Sequence, residues 1–232
     1  MSPAVPVRLR VGVVDTGVNP WHSHVRGAVA GCRVFLDPRG RIREDGEFFD
    51  PVGHGTAVAG VLRQELPGAE IYAVRVFGAG LTTYPSLVAR GMLRAAAEGC
   101  AVINLSLAVP PGPGSALIAE ACGLVRRAGC RVVAAGDAGG RVVLPAALPG
   151  VLGVVADDAL ADGEVGVGGG PYPFRAPGRP RDLAGLPRGA NLLGGSFACA
   201  RVAARAARDP AWAEKALDRT GRSEYKDRLT GD

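Results

Sequence analysis

The chain has 232 residues, 47% of them hydrophobic, which fits one α/β domain with a sizeable core and excludes a disordered chain. Its formal charge of +5 comes with no basic run interleaved with aromatics, which argues against nucleic-acid binding. No apolar run is long enough to span a bilayer and no signal-peptide pattern opens the chain, so a cytoplasmic location with no membrane partner is expected.

In chain order, Arg8 to Val14 reads as a buried-type strand, followed by a loop carrying His22 and His24. These two histidines have metal-like spacing but no third ligand nearby. A second strand is expected over Cys32 to Leu36, then a polar, acidic surface loop over Asp37 to Pro51. A small-residue helix follows His54 and is ended by Leu66-Pro67-Gly68. A strand over Glu70 to Phe77 and a helix over Pro85 to Glu98 come next, the helix with Val88, Met92, Ala95 and Ala96 on one face. A buried strand is expected over Ala101 to Leu107, a helix over Ser115 to Ala128, and strands over Arg131 to Ala135 and Val151 to Ala156.

Strands alternating with helices predict a parallel sheet covered on both faces, with sites gathered at the carboxyl ends of its strands. Gly163 to Gly189 is rich in Gly and Pro and shows little periodicity. Ala198 to Ala207 reads as a helix, residues 208–232 as a charged tail with a short helix over Pro210 to Leu217, and Asp218 to Asp232 as frayed. The expected organisation is one domain over residues 1–207 and that tail. The five cysteines (Cys32, Cys100, Cys122, Cys130 and Cys199) are odd in number and lack a Cys-x-x-Cys pair, so they read as buried reduced thiols.

Three stretches carry chemistry. Val11 to Asp15 delivers an aspartate at a strand end, in Asp15-Thr16-Gly17. His54 leads a helix in Gly53-His54-Gly55-Thr56. Ser196 stands behind Gly194-Gly195 at the start of the Ala-rich helix, where it can act as the N-cap and where the helix dipole favours developing negative charge. Asp, His and Ser are the side chains of a serine hydrolase triad: the serine attacks, the histidine takes its proton, and the aspartate orients the imidazole. No Gly-x-Gly-x-x-Gly follows the first strand, which argues against a dinucleotide site.

These motifs, with Val102 to Leu107, Val133 to Gly136, Pro145-Ala146 and Ala176-Pro177-Gly178 in the same order, resemble the subtilisin-like serine proteases over roughly residues 8 to 207. The resemblance implies a three-layer α/β fold with a central, mostly parallel sheet and helices on both faces. It implies a peptidase with Asp15, His54 and Ser196 as catalytic residues. It assigns the oxyanion hole to Asp137 and the Ser196 backbone N–H. It assigns the substrate main chain to Leu105-Ser106-Leu107-Ala108, with Ala135 and Gly136 opposite. A peptide or protein substrate is expected, with precursor processing beside a pathway partner protein as the fitting role, and no cofactor or required metal. With Asp15 this close to Met1, no pro-segment of the kind secreted relatives carry is expected ahead of it here; the domain then folds unaided, or that segment was removed or is supplied by another chain.

The chain also departs from the family. Asp137 stands where the family has an asparagine that donates to the oxyanion, and an ionised aspartate cannot donate. A protonated Asp137 could donate, and burial near other negative charge would raise its pKa towards that form, so weak activity, acid-shifted activity or help from another donor is expected. Gly195 replaces a threonine, Ala200 a proline, Ala108 a glycine, and Arg201 stands where many relatives have histidine. The competing reading is a catalytically impaired member of the fold that binds peptides or acts as a scaffold.

Overall fold

In this computed structural model, which describes residues 9–187 and 190–222, the strands are β1 (Arg10–Asp15), β2 (Val29–Leu36), β3 (Ile42–Asp45), β4 (Glu70–Arg75), β5 (Val102–Leu105), β6 (Arg131–Ala135), β7 (Leu152–Ala156), β8 (Gly166–Val167) and β9 (Phe174–Ala176). The helices are α1 (His54–Glu65), α2 (Pro85–Ala97), α3 (Ser115–Arg127), α4 (Gly195–Arg208) and α5 (Pro210–Arg219). The sheet order is β3-β2-β4-β1-β5-β6-β7-β9-β8. The pairings are parallel except those of the outermost strands, β3 with β2 and β8 with β9.

Alternation along the central strands sorts the core into two faces. Val11 and Val13 of β1 enter one apolar cluster and Val14 the other. In β6, Val133 and Ala135 go to the first and Val132 and Ala134 to the second. A strand apolar on both sides must be covered twice. Val58, Val61 and Leu62 of α1 and most of α4 cover the first face, while Val88 and Met92 of α2 and Ile118 and Val125 of α3 cover the second. The expected three-layer arrangement is therefore present. Small residues let the layers close: a Cβ on Gly12 would stand 3.0 Å from that of Ala95.

The structure differs from the sequence-based expectation at the irregular segments. Residues 37–51 are not all loop, because Ile42 to Asp45 pair with β2 as an edge strand. The Gly- and Pro-rich stretch contains β8 and β9, and Phe174 is fully buried. The expected strand over 101–107 stops at Leu105, where the chain leaves the ladder. Packed structure also continues beyond residue 207. Ala213, Ala216 and Leu217 of α5 join the first core cluster, and the Trp212 ring meets Phe174 edge-on at 5.8 Å. Arg222 donates to the carbonyls of Ala146 and Leu148, so residues 218–222 are docked and not frayed. Arg8, Gly189 and residues 223–232 lie outside the described residues.

Candidate active site

Asp15 ends β1 near the middle of the sheet and is 1% exposed. Its Oδ1 accepts from the Thr16 backbone N–H at 2.7 Å and lies 2.7 Å from His54 Nδ1. His54 opens α1, and the turn before it is built to hold it there. The Asp50 carboxylate accepts from the backbone N–H groups of Val52, Gly53 and Thr56 and from the Thr56 hydroxyl. It thereby satisfies helix-end donors that the αL residue Gly53 leaves open. The Thr16 hydroxyl accepts the Gly55 N–H at 2.9 Å. Gly55 has to be glycine: a Cβ there would stand 2.1 Å from the Gly17 carbonyl oxygen and 3.2 Å from the Asp15 Cβ. Each residue of Asp15-Thr16-Gly17 thus engages the start of α1.

Burial alone would lower the His54 pKa, but the hydrogen bond and charge of Asp15, with the charge of Asp50, outweigh it and raise the value above the ordinary imidazole range. Hydrogen bonds to the Asp50 carboxylate likewise outweigh its burial and hold it below the usual carboxylate range.

Ser196 is the second residue of α4, not its cap; the capping position is Gly194, which has no side chain to offer. The Gly194 N–H is anchored on the Gly178 carbonyl at 2.8 Å. The Ser196 hydroxyl donates to the Ser106 carbonyl at 3.3 Å, and the Ser106 hydroxyl donates back to the Ser196 carbonyl at 3.0 Å. Asn104, fully buried at the end of β5, donates to the Ser106 hydroxyl at 2.8 Å. The Phe197 ring lies 6.2 Å from that of His54. The start of α4, the end of β5 and the start of α1 therefore converge, bringing Asp15, His54, Ser106 and Ser196 together.

The proposed substrate segment follows β5. Leu105, Ser106 and Leu107 are buried and Ala108 is exposed. Ala135, which is buried, ends the neighbouring β6, and Gly136 follows it. A cavity of about 370 Å³ runs beside Ser106 to Pro110 and includes His54, Phe77, Leu81 and Tyr84. A second cavity of about 370 Å³ lies beyond Gly53 and Thr56, with Val52, Leu183 and Leu192 in its wall. A larger one, about 650 Å³, surrounds Arg179 and Arg201 and contains none of the candidate catalytic residues.

Asp137 overturns one expectation. Its carboxylate is turned to Arg141, taking the backbone N–H and Nε on Oδ2 and an NH2 nitrogen on Oδ1 at 2.8 Å. These bonds to Arg141 hold Asp137 below the usual carboxylate range. It is therefore ionised at neutral pH, and the protonated, donating form expected from burial beside negative charge is not supported. Sequence reasoning could not see this, since the partner is set by a turn four residues long.

It also missed Thr16, Asp50 and Asn104. The signal for Asn104 was present, a lone amide inside an apolar strand. Asp50 falls in the segment read as acidic surface loop. Asp37 there is bonded by Arg41 and Arg43, and Asp45 by Arg33. Among the described residues no three His, Cys, Asp or Glu side chains are placed to hold a metal. The His22 and His24 rings meet edge-on at 5.0 Å. The cysteines are free and buried; burial pushes the Cys199 thiol up, against the opposing contact of its Sγ with the Leu105 carbonyl at 3.7 Å.

Comparison with known proteins agrees with this layout. The protein is 34% identical over 161 residues to Subtilisin Savinase of Lederbergia lenta, covering 65% of this chain and 56% of that one. The chain thus spans little more than half of that relative. Among solved structures, the epidermin leader peptide processing serine protease EpiP of Staphylococcus aureus superposes with a TM-score of 0.71 at 18% identity, covering 91% of this chain and 68% of that one. The prenylagaramide maturation protease PagA superposes with a TM-score of 0.61 at 25% identity, covering 86% of this chain and 73% of that one. The Subtilase family (Peptidase_S8) matches residues 8–215, and the chain belongs to that family.

Proposed function

We propose that the protein is a serine endopeptidase that cuts a specific peptide or precursor through Asp15, His54 and Ser196. The observation that carries this reading is the 2.7 Å contact from His54 Nδ1 to a buried Asp15, with Ser196 on the adjoining helix start. In this mechanism the substrate main chain pairs with Leu105 to Ala108 as an added strand. Ser196 Oγ leaves the Ser106 carbonyl and attacks the substrate carbonyl carbon while His54 takes its proton. His54 then protonates the leaving amine, and water, activated by the same imidazole, releases the acyl group. Asp15 keeps the proton of His54 on Nδ1 and stabilises the charged ring. The oxyanion receives the Ser196 backbone N–H. Asp137 as placed supplies no donor, which favours a slow, selective enzyme over a digestive one. Peptide maturation is the named role of PagA and supports the precursor-processing form of the reading.

The Asp137–Arg141 pair also motivates a second reading, a peptide-binding member of the family without turnover. A fluorophosphonate probe separates the two. Wild-type protein is expected to label and Ser196→Ala is not. A folded wild-type protein that stays unlabelled at every pH would favour the binding reading.

A further inference from the structure

We propose that this protein accepts only glycine or alanine as the residue immediately before the bond it cuts. The inference rests on the reading that Ser196 attacks a peptide carbonyl, and it names the substrate class. β5 and β6 pair as far as Leu105 and Ala134 and then part. Ser106 to Ala108 run one way, while the Gly136 N–H turns to the Val154 carbonyl at 2.7 Å. A peptide laid along Ser106 to Ala108 with its carbonyl at Ser196 sends its last side chain into the wedge between these two segments.

That wedge is closed and filled by the chain itself. Val109 and Leu144 exchange both backbone hydrogen bonds, at 2.9 and 2.8 Å, and so stitch the far end shut. The Tyr172 hydroxyl accepts the Val143 N–H at 2.7 Å and donates to the Arg141 carbonyl at 2.5 Å, fixing the segment that closes it. The Tyr172 ring is 3% exposed and lies directly under Gly136, where a Cβ would stand 2.5 Å from its Cγ. Leu107, Val143, Leu144 and Tyr172 are all buried and belong to one core cluster. Ala108 adds a methyl at the exposed lip. A methyl group finds room over such a floor, whereas a leucine or phenylalanine side chain must displace packed core, which a close-packed interior resists.

The test uses peptidyl diphenyl phosphonates that differ only in the side chain beside phosphorus: Gly, Ala, Leu or Phe. Ser196 Oγ displaces phenoxide from phosphorus, so the labelling rate reads access to the wedge. The Ala probe is expected to label at least ~100-fold faster than the Phe probe. Ala108→Gly, at an exposed position, and Val143→Gly, checked for folding by its melting curve, are expected to narrow that ratio at least ~10-fold. Equal or faster labelling by the Leu or Phe probe overturns the proposal. So does failure of all four in protein that a small fluorophosphonate labels. If that small reagent also fails, the catalytic reading falls instead. The wedge is then read by calorimetric binding of peptides ending in Ala or Phe, where tighter binding of the Ala peptide supports the proposal and anything else overturns it.

Discussion

In the proposed mechanism His54 must lose its proton before it can act, and this sets the direction of the pH response. The His54 pKa is raised by Asp15 and Asp50 against the effect of burial, so the neutral base forms only above the ordinary imidazole value of 6.5. The rate of fluorophosphonate labelling is therefore expected to rise with pH, with its midpoint above that value. A midpoint below it would contradict the Asp15–His54 geometry. The acid-shifted activity expected from a protonated Asp137 is not supported, because Arg141 keeps that carboxylate ionised well into the acid range. Asp137→Asn replaces an anion with an amide that can donate. It is expected to raise kcat at neutral pH by at least ~10-fold, a direction and scale borrowed from the loss of one oxyanion donor in a subtilisin, a member of this same family. Unchanged kcat would show that the side chain at 137 never reaches the oxyanion.

At the scale of the element, the proposed role of His54 depends on where α1 begins. Asp50 fixes that start from four residues before His54, through three backbone N–H groups and one hydroxyl. Asp50→Ala is expected to cost roughly 1–2 kcal/mol of stability at neutral pH, measured by denaturant unfolding. The Asp50 pKa is lowered in the folded protein. Its contribution is thus present above the unfolded carboxylate value and lost as pH falls through the folded one. The difference between wild type and variant should therefore close in acid. The main helices and strands were legible because their periodicity runs over many residues. The triad candidates were legible because Asp15, His54 and Ser196 each stand at an element boundary within two residues of a glycine. β3, β8 and β9 were not, since strands of two to four residues at sheet edges carry almost no pattern. The role of Asp50 was hidden for the same reason: turn geometry, not composition, decides what a loop carboxylate binds.

For the whole molecule, the boundary drawn at residue 207 is the informative miss. Charge made residues 208–232 look like a tail, yet Ala213, Ala216 and Leu217 lie on one face of α5 and complete the core against α4. A chain ending at Arg208 would uncover that face and strip Trp212 from Phe174. It is expected to lose about 3 kcal/mol, visible as a lower melting temperature, from the buried Leu217 and the aromatic contact. An unchanged melting temperature would mean that α5 is dispensable. The sheet and the buried helix also meet through the two serines, Ser106 and Ser196, each hydroxyl lodged on the other's carbonyl. On the proposed binding mode, the Ser106 carbonyl oxygen is thus a berth with two claimants, the Ser196 hydroxyl and the main-chain N–H of an arriving peptide. On the proposed mechanism, a guest that takes this berth would unmoor the Ser196 hydroxyl for its attack.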